Sequence, residues 1–155
     1  MLAFALAAFL VCCAGPMTDA GTAAATRREP TRHTQMRTIG ERVAAIALRE
    51  VGVQYRWGGI SPASGFDCSG LVYWAYGRLG IKLPHSSYAL YDRGRQIPRT
   101  GMKPGDVLFF FGLGHVGIYV GRGRMVHAPH SGSRVQVVRL SRYGSRLVGV
   151  RRIRN

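Results

Sequence analysis

The order of the hydrophobic patterns along the chain constrains the fold more than any other feature. Apolar residues recur with helical spacing in the first half of the chain after residue 38, and from residue 107 onward they form short runs typical of strands. Helices that come first and strands that follow predict an α+β domain and not alternating βαβ units. We therefore expect N-terminal helices packed on a mainly antiparallel sheet of about five strands.

The boundaries of these elements follow from local signals. One helix is predicted from a capping box of Thr38 and Glu41 to about Gly52, a second from Cys68 to Gly80, and a short third beginning near Ser86 or Ser87. Strands are predicted at 107–111, 115–120, 125–128, around 135–137 and at 147–153.

The N-terminal segment predicts export. Residues 2–11 form an unbroken apolar run that is too short to span a bilayer but fits a signal peptide, here residues 1–14. Cleavage after Ala14 and a lipoprotein signal that ends before Cys13 both fit the small residues that follow. Residues 15–37 are predicted to be a flexible tether and 38–155 the folded domain, in the periplasm, attached to the outer membrane or secreted.

The charge predicts anionic partners. The chain has 22 basic and 7 acidic residues, a net charge of +15, and nearly all of the basic residues are arginines. The arginines are scattered and no nucleic-acid-binding motif accompanies them, so nucleic acid is not expected as a partner. We interpret the charge as attraction to an acidic cell envelope, the alternative being a role in solubility alone. Contact with a membrane is expected only through a lipid anchor, and the protein is expected to be a monomer.

Cys68 is the candidate nucleophile. Cys12 and Cys13 lie in or beside the signal, so Cys68 has no disulfide partner in the folded domain although export favours disulfides. Asp67 is suited to cap the helix that follows, which places Cys68 in a first turn whose N–H groups favour a thiolate. The alternative is a small buried hydrophobic residue.

His115 and His127 are the candidate partners of this thiol. A thiol nucleophile needs a base, and the base needs a third group that orients it. The two histidines lie on paired strands of one hairpin, and they share a sheet face only if the turn at 121–124 has an odd number of residues or an equivalent bulge. We expect such a bulge, with both rings on the face that meets Cys68. Either histidine taken alone is better explained as a half-buried structural residue.

Five motifs in sequence order make the chain similar to the NlpC/P60 family of papain-like cysteine peptidases. The residues are Tyr55-x-Trp57-Gly58-Gly59, Asp67-Cys68-Ser69-Gly70-Leu71-Val72, Pro104-Gly105-Asp106, His115-Val116-Gly117-Ile118-Tyr119 and His127-Ala128. The resemblance covers about 38–153. It implies a papain-like fold and a peptidoglycan endopeptidase that cuts stem peptides, commonly between D-γ-glutamyl and meso-diaminopimelate.

The resemblance also implies roles for individual residues. Cys68 would be the nucleophile, His115 the base and His127 the orienting residue, while Tyr55 would line the site and assist the oxyanion. Asp67 and Ser69 would hold the substrate, although helix capping explains Asp67 equally well and Ser69 suits any first turn.

No cofactor and no metal are expected. Two departures from the family pattern, His85 and the apolar run Phe109-Phe110-Phe111, are predicted not to touch the catalytic residues. Two alternatives to an endopeptidase remain: a thiol amidase or acyltransferase that acts on another envelope amide, and a non-catalytic envelope-binding module.

Overall fold

The computed structural model describes residues 37–154, so the predicted signal peptide and most of the predicted tether lie outside the described residues. The elements, in chain order, are α1 (Ile39–Arg49), β1 (Ile60–Ser61), β2 (Gly65–Phe66), α2 (Cys68–Gly77), α3 (Ser87–Tyr91), β3 (Arg95–Gln96), β4 (Val107–Phe110), β5 (His115–Gly121), β6 (Arg124–His127), β7 (Gln136–Arg139) and β8 (Leu147–Arg152), with short 3-10 turns at Arg99–Gly101, Leu140–Arg142 and Gly144–Arg146.

The first helix begins at the predicted capping box. The Thr38 N–H donates to the Glu41 carboxylate at 2.8 Å, and the Glu41 N–H donates to the Thr38 hydroxyl at 3.2 Å. Val43, Ala44 and Ala47 form the buried face of α1. The helix therefore starts where local signals place it and packs through one apolar stripe.

The main sheet has six strands in the order β3-β8-β4-β5-β6-β7, and each of its neighbouring pairs is antiparallel. Five of them are the predicted strands. The sixth, β3, has only two residues and pairs Arg95 with Arg152 at the edge of the sheet. Sequence patterns missed it because two exposed residues carry no periodicity. The α+β prediction is confirmed.

The two sides of the sheet have different cores. On one side, Val107, Phe109 and Val116 join the buried residues of α1 and α2 in the larger cluster. On the other side, Leu108, Phe110 and Met125 belong to a smaller cluster that Tyr143 covers in part. The alternation of strand side chains explains the division, since neighbouring residues such as Phe109 and Phe110 point to opposite faces.

The turn before β4 is hydrogen-bonded both to the last strand, β8, and to α2. Asp106 is buried and accepts two hydrogen bonds from the Arg152 guanidinium of β8, both at 2.7 Å. The Tyr76 hydroxyl of α2 donates to the Gly105 carbonyl at 2.7 Å. This contact fixes α2 against the sheet. Within residues 37–154, no helix combines the length and the hydropathy that a bilayer crossing requires.

Candidate active site

Cys68 is the first residue of α2, where the sequence places it. The Asp67 carboxylate caps the helix by accepting from the Gly70 N–H at 2.7 Å. Gly70 packs so closely on the loop before β1 that a Cβ atom there would overlap the Gly59 carbonyl. The helix start, and with it the thiol, is therefore held from two sides.

The Asp67 carboxylate is buried and has four donor groups around it. Besides Gly70, the Gly58 N–H donates at 2.9 Å, the Ser69 hydroxyl at 3.1 Å, and the His85 Nε2 lies 2.9 and 3.0 Å from the two carboxylate oxygens. A carboxylate offers about four acceptor positions, so these contacts occupy all of its hydrogen-bonding positions. His85 thus contacts Asp67, the residue next to Cys68, and the prediction that it does not touch Cys68, His115 or His127 stays a prediction.

Burial raises the pKa of the Cys68 thiol above its ordinary value, and the Asp67 charge acts in the same direction. The backbone N–H groups of Val116, Ser69 and Cys68 itself lower the pKa, but their effect is smaller. The sequence predicted a thiolate because the helix N-terminus can be recognised in it, whereas the burial of Cys68 cannot. The resting thiol is neutral, and it needs a base to become a nucleophile.

The two histidines form a hydrogen-bonded pair. The Nε2 atom of His115 lies 2.8 Å from Nδ1 of His127, and their ring planes are at 79° to each other. Both residues are buried, His127 completely. Burial lowers the pKa of His115 to about 4, and burial together with the charges of His115 and His130 lowers the pKa of His127 to about 3. Both imidazoles are therefore neutral at pH 7.

The register of the hairpin explains how the rings meet. The turn itself has two residues, Arg122 and Gly123, both with positive φ. A bulge at residue 120 then pairs Tyr119 with Met125, so that His127 falls opposite Gly117. The prediction of a bulge is confirmed. A Cβ at Gly117 would lie 3.3 Å from the His127 Cβ, so the glycine leaves room for the second ring.

The histidine rings lie on the side of the sheet that carries Phe110 and Met125, by the alternation of β5 and β6. The prediction placed them on the face that meets Cys68, whereas α2 packs on the opposite side. Cys68, however, stands at the first residue of α2, where its thiol lies against the N–H of Val116, the residue after His115, at the beginning of β5. That the thiol also meets the two rings stays a prediction.

The loop before His115 is strained. Phe111 and Leu113 have φ values of 53° and 75°, which are costly for residues with a Cβ. The neighbouring Phe110 ring lies 6.2 Å from the His115 ring between centroids. The prediction that the Phe109-Phe110-Phe111 run would not touch the candidate catalytic residues is therefore wrong, because Phe110 packs on His115.

Tyr143 was not identified from the sequence. Its ring lies at 90° to the His127 ring with 5.7 Å between centroids, and it also packs on Phe110 at 5.0 Å. The Nε2 atom of His127 is buried and has no hydrogen-bond partner among the described residues. Nothing in the local sequence marks Tyr143, since it comes from a 3-10 region between β7 and β8.

Tyr55 lies near Cys68. It is half-buried, its backbone bridges to Phe66, and burial followed by the charges of Cys68 and Asp67 raises the pKa of its hydroxyl. The hydroxyl therefore remains a proton donor at neutral pH. Among residues 37–154, no group of three or more His, Cys, Asp or Glu side chains is placed to hold a metal ion.

A neutral thiol at a helix start, beside the strand end that carries a neutral imidazole pair, is an arrangement suited to covalent acyl transfer. The sequence profile of the NlpC/P60 family matches residues 52–152. The chain belongs to the NlpC/P60 family.

Among its relatives, the probable endopeptidase Rv2190c of Mycobacterium tuberculosis is 48% identical over 108 residues, which are 68% of this chain and 28% of that protein. The murein DD-endopeptidase MepH of Escherichia coli is 42% identical over 116 residues, 68% of this chain and 43% of that protein. The chain thus spans less than half the length of these relatives. A solved structure of the RipA protein, mutated at H432, superimposes with a TM-score of 0.68 at 37% identity, covering 74% of this chain and 62% of that one.

Proposed function

We propose that this protein is an exported cysteine endopeptidase that hydrolyses peptidoglycan stem peptides through Cys68, His115 and His127. The observation that carries the proposal is the 2.8 Å contact between Nε2 of His115 and Nδ1 of His127. His115 directly precedes Val116, whose backbone N–H lies against the Cys68 thiol. Family membership supports the class of enzyme. The helix start, the base and the orienting residue together supply what a thiol nucleophile needs.

The resting state is a neutral pair. Since burial disfavours both the thiolate and the imidazolium, neither ion forms alone, and proton transfer from Cys68 to His115 accompanies attack on the amide carbonyl. The Cys68 sulfur forms the new bond to the carbonyl carbon. The proton on His115 then goes to the departing amine, and water hydrolyses the thioester to regenerate the thiol.

The hydrogen bond between the histidines sets the tautomer of the base. If His115 donates through Nε2 to Nδ1 of His127, the Nδ1 lone pair of His115 is free to accept the thiol proton. His127 then carries its own proton on Nε2, the buried atom without a hydrogen-bond partner in the described chain. Next to the Tyr143 ring, an N–H on this atom is more favourable than a lone pair, because the face of an aromatic ring is negative.

The oxyanion would form beside the start of α2. The backbone N–H of Cys68 is a first-turn donor beside the thiol, and one such donor contributes about 3–4 kcal/mol in comparable hydrolases. Tyr55, whose hydroxyl keeps its proton, is the second candidate donor.

Asp67 and Ser69 act on the substrate through the position of Cys68. Their polar atoms bond to each other and the remaining Asp67 contacts go to Gly58, Gly70 and His85. For Asp67 to bind substrate directly, one of these donors would have to be displaced. The saturated carboxylate therefore supports a positioning role more than the direct contact that the resemblance implies.

The bond that we propose is the one between D-γ-glutamyl and meso-diaminopimelate. The resemblance supports it, while relatives are named for different bonds: MepH is a DD-endopeptidase and CwlT of Bacillus subtilis a bifunctional muramidase and DL-endopeptidase. The net charge of +15 supports an envelope location through attraction to anionic polymers.

Mass spectrometry of muropeptides after digestion tests the proposal. Wild-type protein should release fragments that end at D-γ-glutamate and complementary fragments with a new amine on diaminopimelate. Cys68→Ala should release none, and His115→Gln should be nearly as inactive although it keeps a polar group near the position of Nε2. Cleavage by Cys68→Ala would refute the thiol mechanism. Release of a different fragment would favour the amidase alternative, and binding without product would favour the non-catalytic module.

A further inference from the structure

A cluster of three arginines lies at the end of the sheet farthest from the histidine pair. Arg122 is in the β5–β6 turn, Arg124 begins β6 and Arg139 ends β7. With Gly123, Leu140 and Ser141 they surround a surface cavity of about 540 Å³. All three arginines are exposed, and the residues that complete the cavity include no carboxylate.

Arg124 and Arg139 are direct cross-strand partners. Like charges in this position repel each other, because the Cβ atoms of such partners are only about 5 Å apart. The sheet has a second arginine pair of this kind, Arg95 and Arg152, but there Asp106 neutralises Arg152 at 2.7 Å. Among residues 37–154, none of the three cavity arginines has such an ion pair. The pair at β6–β7 therefore lacks the counter-charge that its equivalent has.

The turn that carries the cluster is rigid. Arg122 has a φ of 52°, an unfavourable value for a residue with a Cβ. The Gly123 N–H donates to the Tyr119 hydroxyl at 3.1 Å, and the Leu140 N–H donates to the Gly123 carbonyl at 2.8 Å. The backbone positions of the arginines are thus fixed before any ligand arrives, which lowers the entropy cost of binding.

We propose that Arg122, Arg124 and Arg139 form a binding site for a phosphate group of the cell envelope, carried by a lipid headgroup or by a phosphate-containing polymer. A tetrahedral phosphate can accept paired hydrogen bonds from two guanidinium groups at once, whereas a carboxylate presents only two coplanar oxygens. Bound phosphate would supply the missing counter-charge. Along β5 the site lies about 20 Å from His115; along β6, Arg124 lies three residues, about 10 Å, from His127, and its side chain is on the opposite face of the sheet. An occupant would therefore hold the enzyme on the envelope and leave the active site open.

Binding of the full chain to two probes tests the site: inorganic polyphosphate, and phosphatidylcholine vesicles with and without phosphatidylglycerol. Arg124→Gln/Arg139→Gln should weaken binding to at least one anionic probe about tenfold or more. The slope of the logarithm of the binding constant against the logarithm of the salt concentration should become smaller by about one for each lost contact. The matched control is Arg93→Gln/Arg95→Gln, which removes two exposed arginines at the opposite edge of the sheet. The control should bind nearly as the wild type does.

A melting temperature equal to or above that of the wild type is expected for the glutamine variant, because like-charge repulsion is removed. Should that variant unfold, Arg124→Lys/Arg139→Lys decides the matter, since it keeps both charges, loses the planar guanidinium groups and should bind with intermediate affinity. A loss with polyphosphate alone would identify a polymer as the source, and a loss with phosphatidylglycerol vesicles alone a lipid. Equal losses in the variant and the control, or no loss in either, would overturn the proposal.

Discussion

The buried histidine pair should make the protein sensitive to mild acid. His115 and His127 are neutral in the folded state because burial lowers the pKa of the first to about 4 and of the second to about 3. In the unfolded chain both should titrate near the ordinary histidine value of about 6.5. The unfolded state therefore binds more protons between these limits, and the free energy of unfolding falls as the pH falls.

The size of the effect follows from the same values. Between about pH 7.5 and pH 5, a histidine whose pKa falls from about 6.5 to about 4 or below loses about 2 kcal/mol of stability, and the two together lose about 4 kcal/mol. The loss should begin near pH 6.5 and continue toward pH 4, below which the first folded-state imidazole also takes up its proton.

Urea unfolding at a series of pH values measures this loss. The variant His115→Gln/His127→Asn keeps polar atoms near Nε2 and Nδ1, the two atoms in contact, but cannot be protonated. Carboxylates contribute equally to both proteins, so the difference between wild type and variant isolates the histidines. His130→Gln, at an exposed position, is the control: it removes only the smallest of the three causes that lower the pKa of His127 and should retain most of the wild-type acid dependence. A difference that does not change with pH would refute the assignment of both histidines as buried and neutral.

Two further predictions concern the residues that support the site. His85→Ala should lower the free energy of unfolding by about 1–2 kcal/mol, because the buried Asp67 carboxylate loses a hydrogen-bond partner at 2.9 Å, and should reduce kcat through the position of Cys68. His85→Arg should restore both in thermal unfolding and hydrolysis assays, and an arginine variant no better than alanine would contradict the role. Tyr143→Leu should reduce kcat up to about tenfold at unchanged KM, since the ring that faces His127 is lost, whereas Tyr143→Phe should retain activity. Equal kcat values for the leucine and phenylalanine variants would show that the ring does not matter.

Local signals in the sequence were sufficient for most of the elements and for the position of Cys68 at a helix start. The capping box at Thr38, the Asp67 cap and the bulge that pairs His127 with Gly117 depend on residues only a few positions apart, or on the parity of one hairpin. Such patterns determine backbone geometry directly, because periodicity and turn length leave few alternatives. The sequence therefore determined which residues could form the site.

The tertiary structure decided the electrostatics and the support of that site. His85 reaches Asp67 across 18 positions, and Arg152 reaches Asp106 across 46, while Tyr143 approaches His127 from a 3-10 region without periodicity. The raised pKa of Cys68 reverses the expectation from the helix N-terminus, because burial is a property of the packed domain and not of the helix. Contacts between distant segments leave no local pattern, so the pairing of charges and the desolvation of titratable groups are fixed only when the chain has folded.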